Sequence, residues 1–339
     1  MTNGQSNPDG TLSDDELAWL RARARGEFGV IQTCATHVTR DGQGWAGELG
    51  VFDDAHIPGW TRLVRAMHAE GALVIAQLFH GGARADRTLT GETPLSATAS
   101  TKGPEIRAAT ESDLARIVDA FRRAAQRVHE AGGDGVELHG AHGYLLCQFL
   151  SSAFNRRTDG WGGDLVGRAR LIRETMRAVR AGVPRPFSVG VRLSPEDYGG
   201  FRGLDLDESL QIAAWLAEDG ADFIHISLWD VSQRTTKRPQ EHAVTLFRSA
   251  LPDNVKLIVA GAIWTQEKAN EMLALGADAV ALGRAAIANP DWPAQMQRSA
   301  LWEPRRPPLS AGELRERALS DTFVDYMRRW PGFVEDQSL

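Results

Sequence analysis

Two histidines and a tyrosine fall within six residues in His139-Gly-Ala-His142-Gly-Tyr144. Two imidazole N–H groups can grip and polarise a carbonyl or nitro oxygen. A phenol, with its ordinary pKa of about 10, stays protonated at neutral pH and can hand over a proton. The same residues could hold a metal if His80 or His225 supplied a further ligand. Tyrosine is a rare ligand, however, and no carboxylate sits at ligand spacing, so acid–base chemistry is the preferred reading and no metal is expected.

Two further groups could serve this centre. Gly261 and the Gly283-Arg284 pair end successive apolar runs. Backbone N–H groups in such turns, with a guanidinium beside them, suit a phosphate dianion. Gln77 and Arg192 end or interrupt apolar runs, where a polar side chain costs stability unless it is paired. They could contact a polar heterocycle or form an internal pair. Phe79 and Trp229 are read as packing residues.

These residues need a scaffold that brings strand ends together. Apolar residues recur at helical spacing in Leu114, Ile117, Val118, Phe121, Ala125 and Val128, and again in Leu171, Ile172, Thr175, Met176 and Val179. Ser13 and Glu16 form a capping-box pattern that opens an earlier helix. Between helices lie short apolar strands, at roughly 28–33, 72–77, 134–139, 187–192, 221–226, 255–260 and 277–282. Such alternation means a parallel sheet covered by helices. The fold class is α/β, a (β/α)8 barrel whose active site lies at the carboxyl ends of the strands. A closed barrel needs eight strands and the periodicity supplies seven. Either the sheet is open and doubly wound, or the N-terminal strand is missing from this chain. The second is expected.

Bulk properties narrow the function. The net charge of -6 argues against nucleic acid or an anionic membrane as partner. No long apolar run spans a membrane and the polar start lacks a signal peptide. Two distant cysteines, Cys34 and Cys147, suggest a reducing cytoplasm. Residues 1–295 are expected to form the barrel, and 296–339 an extension packed on it or on another subunit of a homo-oligomer.

The runs Gln77-Leu-Phe-His80, Asp134-Gly-Val-Glu-Leu-His-Gly-Ala-His-Gly-Tyr144, Asn155-Arg-Arg-Thr-Asp159, Trp161-Gly-Gly163, Val191-Arg-Leu-Ser-Pro195 and Gly283-Arg284 resemble the Old Yellow Enzyme family of FMN-dependent ene-reductases. The resemblance covers nearly all of the chain to about residue 293. It implies non-covalent FMN at the strand ends, reduced by NADH or NADPH, with hydride passed to the β-carbon of a small activated alkene. On this resemblance His139 and His142 hold the substrate's oxygen and Tyr144 protonates the α-carbon. Gln77 and Arg192 bond the flavin's pyrimidine edge, Ala35 and Thr2 lie against the ring, and Gly261, Gly283 and Arg284 bind the phosphate. In the family a strand ending in Ala-Pro-Met-Thr precedes the first helix, whereas Met1-Thr2 opens this sequence, in keeping with the count of seven. Gly167 replaces a common Asn before Arg168. The alternatives are a flavin-free phosphate-binding barrel enzyme, or a non-catalytic scaffold. The lack of a well-placed strand-end lysine counts against an aldolase.

Overall fold

The computed structural model describes residues 2–197, 201–299 and 301–335. Its strands in chain order are β1 (Val30–His37), β2 (Leu73–Phe79), the two-residue β3 (Leu95–Ser96) and β4 (Arg107–Ala108), then β5 (Gly135–Gly140), β6 (Ser188–Leu193), β7 (Phe223–Ser227), β8 (Lys256–Ala260) and β9 (Ala279–Ala281). β3 pairs only with β4, while the other seven form one sheet in the order β1-β2-β5-β6-β7-β8-β9. Every neighbouring pair is parallel.

This order never reverses. A doubly wound sheet has a switch point where the winding changes direction. Winding in one sense throughout is the habit of a (β/α)8 barrel, and it removes the open-sheet alternative. Periodicity predicts seven strands and seven form this sheet among the described residues, which leaves β1 and β9 as its two edges; the short β3–β4 pair was not expected. Both edges, at Val30–Thr33 and Ala279–Leu282, border the same cavity. Arg23 lies by that gap, donating to the carbonyls of Ala286, Ile287 and Arg317. Of Met1-Thr2 only Thr2 is described, and it belongs to no strand.

The helices cover the sheet for the reasons their sequences give. Helix Glu111–Glu130 starts at a complete capping box between Thr110 and Asp113 and buries Leu114, Ile117, Phe121 and Val128. Helix Leu165–Gly182 begins with Asp164 accepting from the Gly167 N–H. Gly167 is therefore in that helix's first turn. A Cβ there would stand 2.1 Å from the Gly162 carbonyl oxygen, so only glycine allows this approach. The first helix, Asp14–Arg25, has half of the expected box. Ser13 accepts from the Glu16 N–H, but the buried Glu16 carboxyl instead accepts from Asn3 and Ser6.

β1 differs most from expectation, running four residues past the expected end. Its carboxyl half, Thr33 to His37, is almost wholly buried although it carries two threonines and a histidine, and His37 Nδ1 lies 3.3 Å from the buried Glu48 carboxyl without a hydrogen bond between them. A register shift between Gln32 and Ala35 accompanies this. At the far end of the chain, the Phe323 ring stands edge-on to Trp19 at 5.2 Å. The backbone N–H and hydroxyl of Ser320 both donate to Gln5 Oε1.

Candidate active site

The carboxyl ends of the strands surround a cavity of about 1840 Å³. Thr2, Gln77, His142, Tyr144, Arg192, Gly261, Gly283 and Arg284 all line it. Ala35 does not. It is buried in β1, in register with Gln77. His139 lies just behind the lining, buried, with its ring 5.1 Å from His142 and 5.0 Å from Tyr144.

Strand pleating explains the floor. Side chains two apart on a strand share a face, so Glu137 and His139 on β5 point together into the sheet's interior. In register, Gln77 lies beside Glu137, and His139 beside Arg192, which lies beside His225. Four buried atoms in this layer lack any partner: Gln77 Oε1, His139 Nε2, Arg192 Nε and His225 Nε2. Buried polar atoms are nearly always paired, so four orphans around one cavity mark a place for a polar ligand.

The two histidines are held differently. His139 Nδ1 accepts from the Ala141 N–H, which leaves a neutral ring's proton on the unpartnered Nε2. Burial, His142 and Arg192 hold its pKa well below the ordinary imidazole value. His142 has a left-handed backbone, φ +60°, which turns its ring toward β7, where Nε2 meets Ser227 Oγ at 2.7 Å. Arg192 donates to the same oxygen at 3.0 Å, so the hydroxyl proton can turn to His142 Nε2. The ring is open to the cavity on one side but crowded elsewhere, and this desolvation, with Arg192, also lowers its pKa well below the usual value. Both rings are neutral at pH 7 and can each offer an N–H.

Tyr144 precedes the short helix Leu145–Leu150. Phe79 packs edge-on at 4.5 Å and the Arg84 guanidinium lies 4.7 Å over its ring. Burial raises the phenol's pKa above its ordinary value, so it keeps its proton. Phe79 is fully buried, whereas Trp229 is 58% exposed at the cavity edge. Among the described residues, the Arg284 guanidinium has no hydrogen bond or ion pair, and no cluster of three or more His, Cys, Asp or Glu could hold a metal.

Sequence reasoning passed over Ser227, Glu137 and Arg84. Ser227 ends β7 and could have been found by the strand-end rule applied to Gln77 and Arg192. Glu137 shows in the pattern as a carboxylate two before His139. Arg84 gives no local signal, since a distant loop folds it over Tyr144.

The chain is similar to known flavin oxidoreductases. A family model described as NADH:flavin oxidoreductase / NADH oxidase family matches residues 1–301. A probable NADH-dependent flavin oxidoreductase, YqiG, of Bacillus subtilis is 35% identical over 301 residues, covering 86% of this chain and 80% of that protein. An NADPH dehydrogenase of Halalkalibacterium halodurans is 33% identical over 290 residues, covering 84% of each. Among solved structures, the old yellow enzyme homologue from Zymomonas mobilis superposes with a TM-score of 0.80 at 26% identity, over 96% of this chain and 93% of that one.

Proposed function

This chain belongs to the NADH:flavin oxidoreductase / NADH oxidase family, and from that premise we propose that it reduces activated alkenes, with hydride delivered to the β-carbon of an α,β-unsaturated carbonyl or nitro compound. It is an NAD(P)H-dependent flavin oxidoreductase whose cofactor is FMN. When bound, FMN relays a hydride equivalent from the nicotinamide to the alkene. The observation that carries the alkene reading is the neutral His139–His142 pair, with the His139 ring 5.0 Å from that of a protonated Tyr144.

The residues fit the cofactor. A flavin's pyrimidine edge offers an imide N–H between carbonyl oxygens. The orphaned Gln77 Oε1 can accept from the N–H, and the orphaned Arg192 Nε can donate to an oxygen. The Arg192 cation favours negative charge placed against it. Gly261, Gly283 and Arg284 would hold the phosphate and Thr2 would lie by the ring, whereas Ala35, buried in β1 and outside the cavity lining, is not placed to meet it.

The rest is done by this chain's own groups. His139 and His142 direct N–H bonds at the substrate's carbonyl or nitro oxygen, drawing electrons from the alkene. As hydride reaches the β-carbon, the Tyr144 phenol gives its proton to the α-carbon and is recharged from solvent. Phe79 and Arg84 keep the ring in place. No helix among the described residues is long and apolar enough to cross a membrane, and the reading is of an enzyme acting on small molecules.

The test is anaerobic spectroscopy of the purified protein. It should carry or take up FMN, lose the flavin band with NADH or NADPH, and recover it with cyclohexenone. Protein that ignores added FMN would refute the cofactor's place. Flavin that reoxidises with oxygen but with no enone or nitroalkene would refute the substrate class.

A further inference from the structure

Beneath the cavity sits one buried carboxyl that the proposed chemistry does not use. Glu137 is fully buried and takes hydrogen bonds from three side chains. Gln77 Nε2 donates to Oε1 at 2.7 Å, Gln32 Nε2 donates to the same oxygen, and His225 Nδ1 lies 2.7 Å from Oε2. Burial alone would raise its pKa, but His225, Arg192 and the Gln77 bond outweigh this and hold it below the ordinary value. It is thus a carboxylate, which can only accept.

An acceptor at the centre decides how each neighbour must face. Gln77 must turn its NH2 inward, which leaves its carbonyl oxygen toward the cavity. His225 must carry its proton on Nδ1, and burial, the largest influence, keeps the ring neutral. Its Nε2 is then a bare acceptor. The unpartnered atoms agree: Gln77 Oε1 and His225 Nε2 are orphaned, while Arg192 Nε beside them is an orphaned donor. Gln77, Gln32, Arg192 and His225 all border the cavity.

We propose that Glu137 is a positioning residue that fixes the hydrogen-bond polarity of the cavity floor, with acceptors at Gln77 Oε1 and His225 Nε2 and a donor at Arg192. It touches no ligand itself. The floor so set selects a ring edge with an N–H beside a carbonyl. This rests on the FMN reading for the ligand's identity, but not for the orientation of the side chains.

Glu137→Gln tests it, because an amide of the same shape both donates and accepts. Its oxygen cannot serve all three neighbours, so either the glutamines or His225 must invert. Two readouts on the full chain stripped of flavin follow this. One is the ratio of dissociation constants for N3-methyl-FMN and FMN, by flavin fluorescence. The methyl group's steric clash is common to both proteins and cancels in the comparison. The other is the His225 protonation site by 15N-histidine NMR, assigned by the signals lost in His225→Asn. In the wild type the proton should sit on Nδ1 alone. In Glu137→Gln, either the methylation penalty falls by about 10-fold, the cost of an unpaired buried acceptor, or the His225 proton moves to Nε2. A wild-type proton on Nε2, with or without one on Nδ1, overturns the inference. So does a variant in which neither readout changes. Should Glu137→Gln fail to fold, the wild-type spectrum still decides. Wild type that binds no FMN would sink the cofactor reading while the histidine spectrum still judges Glu137.

Discussion

The two ends of the sheet treat their polar groups in opposite ways. At the amino ends, Asp134, Asp222 and Asp278 each stand just before a strand. Each accepts the backbone N–H of the neighbouring strand, from Val74, Val189 and Leu257. Each also takes a basic partner: His68 for Asp134, Arg180 and Arg185 for Asp222, Arg248 and Lys256 for Asp278. At the carboxyl ends, Gln77, His139, Arg192 and His225 keep buried atoms without partners. One rim closes its hydrogen bonds within the protein and the other leaves them for a ligand. The lesson is that stability and function can be separated by rim, as barrel architecture allows.

The largest effect that would sharpen this contrast is expected at Tyr144. Tyr144→Phe removes only the hydroxyl. Enone-driven reoxidation of the flavin should slow by roughly 10²–10⁴-fold, while its reduction by NAD(P)H stays nearly unchanged. A nitroalkene, whose reduced product is a stable anion, should suffer far less. Rapid-mixing absorbance separates the two half-reactions, and equal slowing of both would refute the proton-donor role.

Next comes Arg284. Arg284→Ala should weaken FMN by about 10–100-fold and riboflavin hardly at all, since only FMN has a dianion for the guanidinium. Equal losses in fluorescence titrations would return Arg284 to a structural role.

The opposite rim should respond in the opposite way. Asp222→Ala unpairs the Val189 N–H and removes the carboxylate partner of Arg180 and Arg185. Unfolding free energy in urea should drop by about 2–4 kcal/mol, with FMN affinity in the folded protein within about 3-fold of wild type. Loss of affinity without loss of stability would break the comparison.

The last effect concerns pH. His80 is buried beside the site, and burial pushes its pKa down to about 4. A histidine depressed in the fold binds its proton more readily when unfolded. Stability is then complete above about pH 6.5 and declines as pH falls toward 4, by up to about 1.4 kcal/mol per pH unit for this group. His80→Gln should lessen the fall of the urea midpoints over that window, the other buried histidines supplying the rest. An unchanged slope would mean that other groups set the acid limit.

Much of this was legible in the residues. Short apolar runs of about six residues marked seven strands, and 3.6-residue spacing marked the long helices, because burial against a neighbour imposes those periods wherever the chain lies. His139, His142 and Tyr144 were visible since one turn after a strand holds all three. The amino-end aspartates follow Gly132-Gly133, Gly220-Ala221 and Gly276-Ala277, a recurring signal that went unread. The sequence by itself thus determined the elements, their alternation and which side chains could react. Tertiary structure alone decided that the winding never reverses, that Arg84 covers Tyr144, and that Ser227 joins His142 to Arg192. It alone placed Glu137 against His225, 88 residues away. Periodicity reports which face of an element is buried, whereas a hydrogen bond between distant strands depends on register and curvature, which no local pattern encodes.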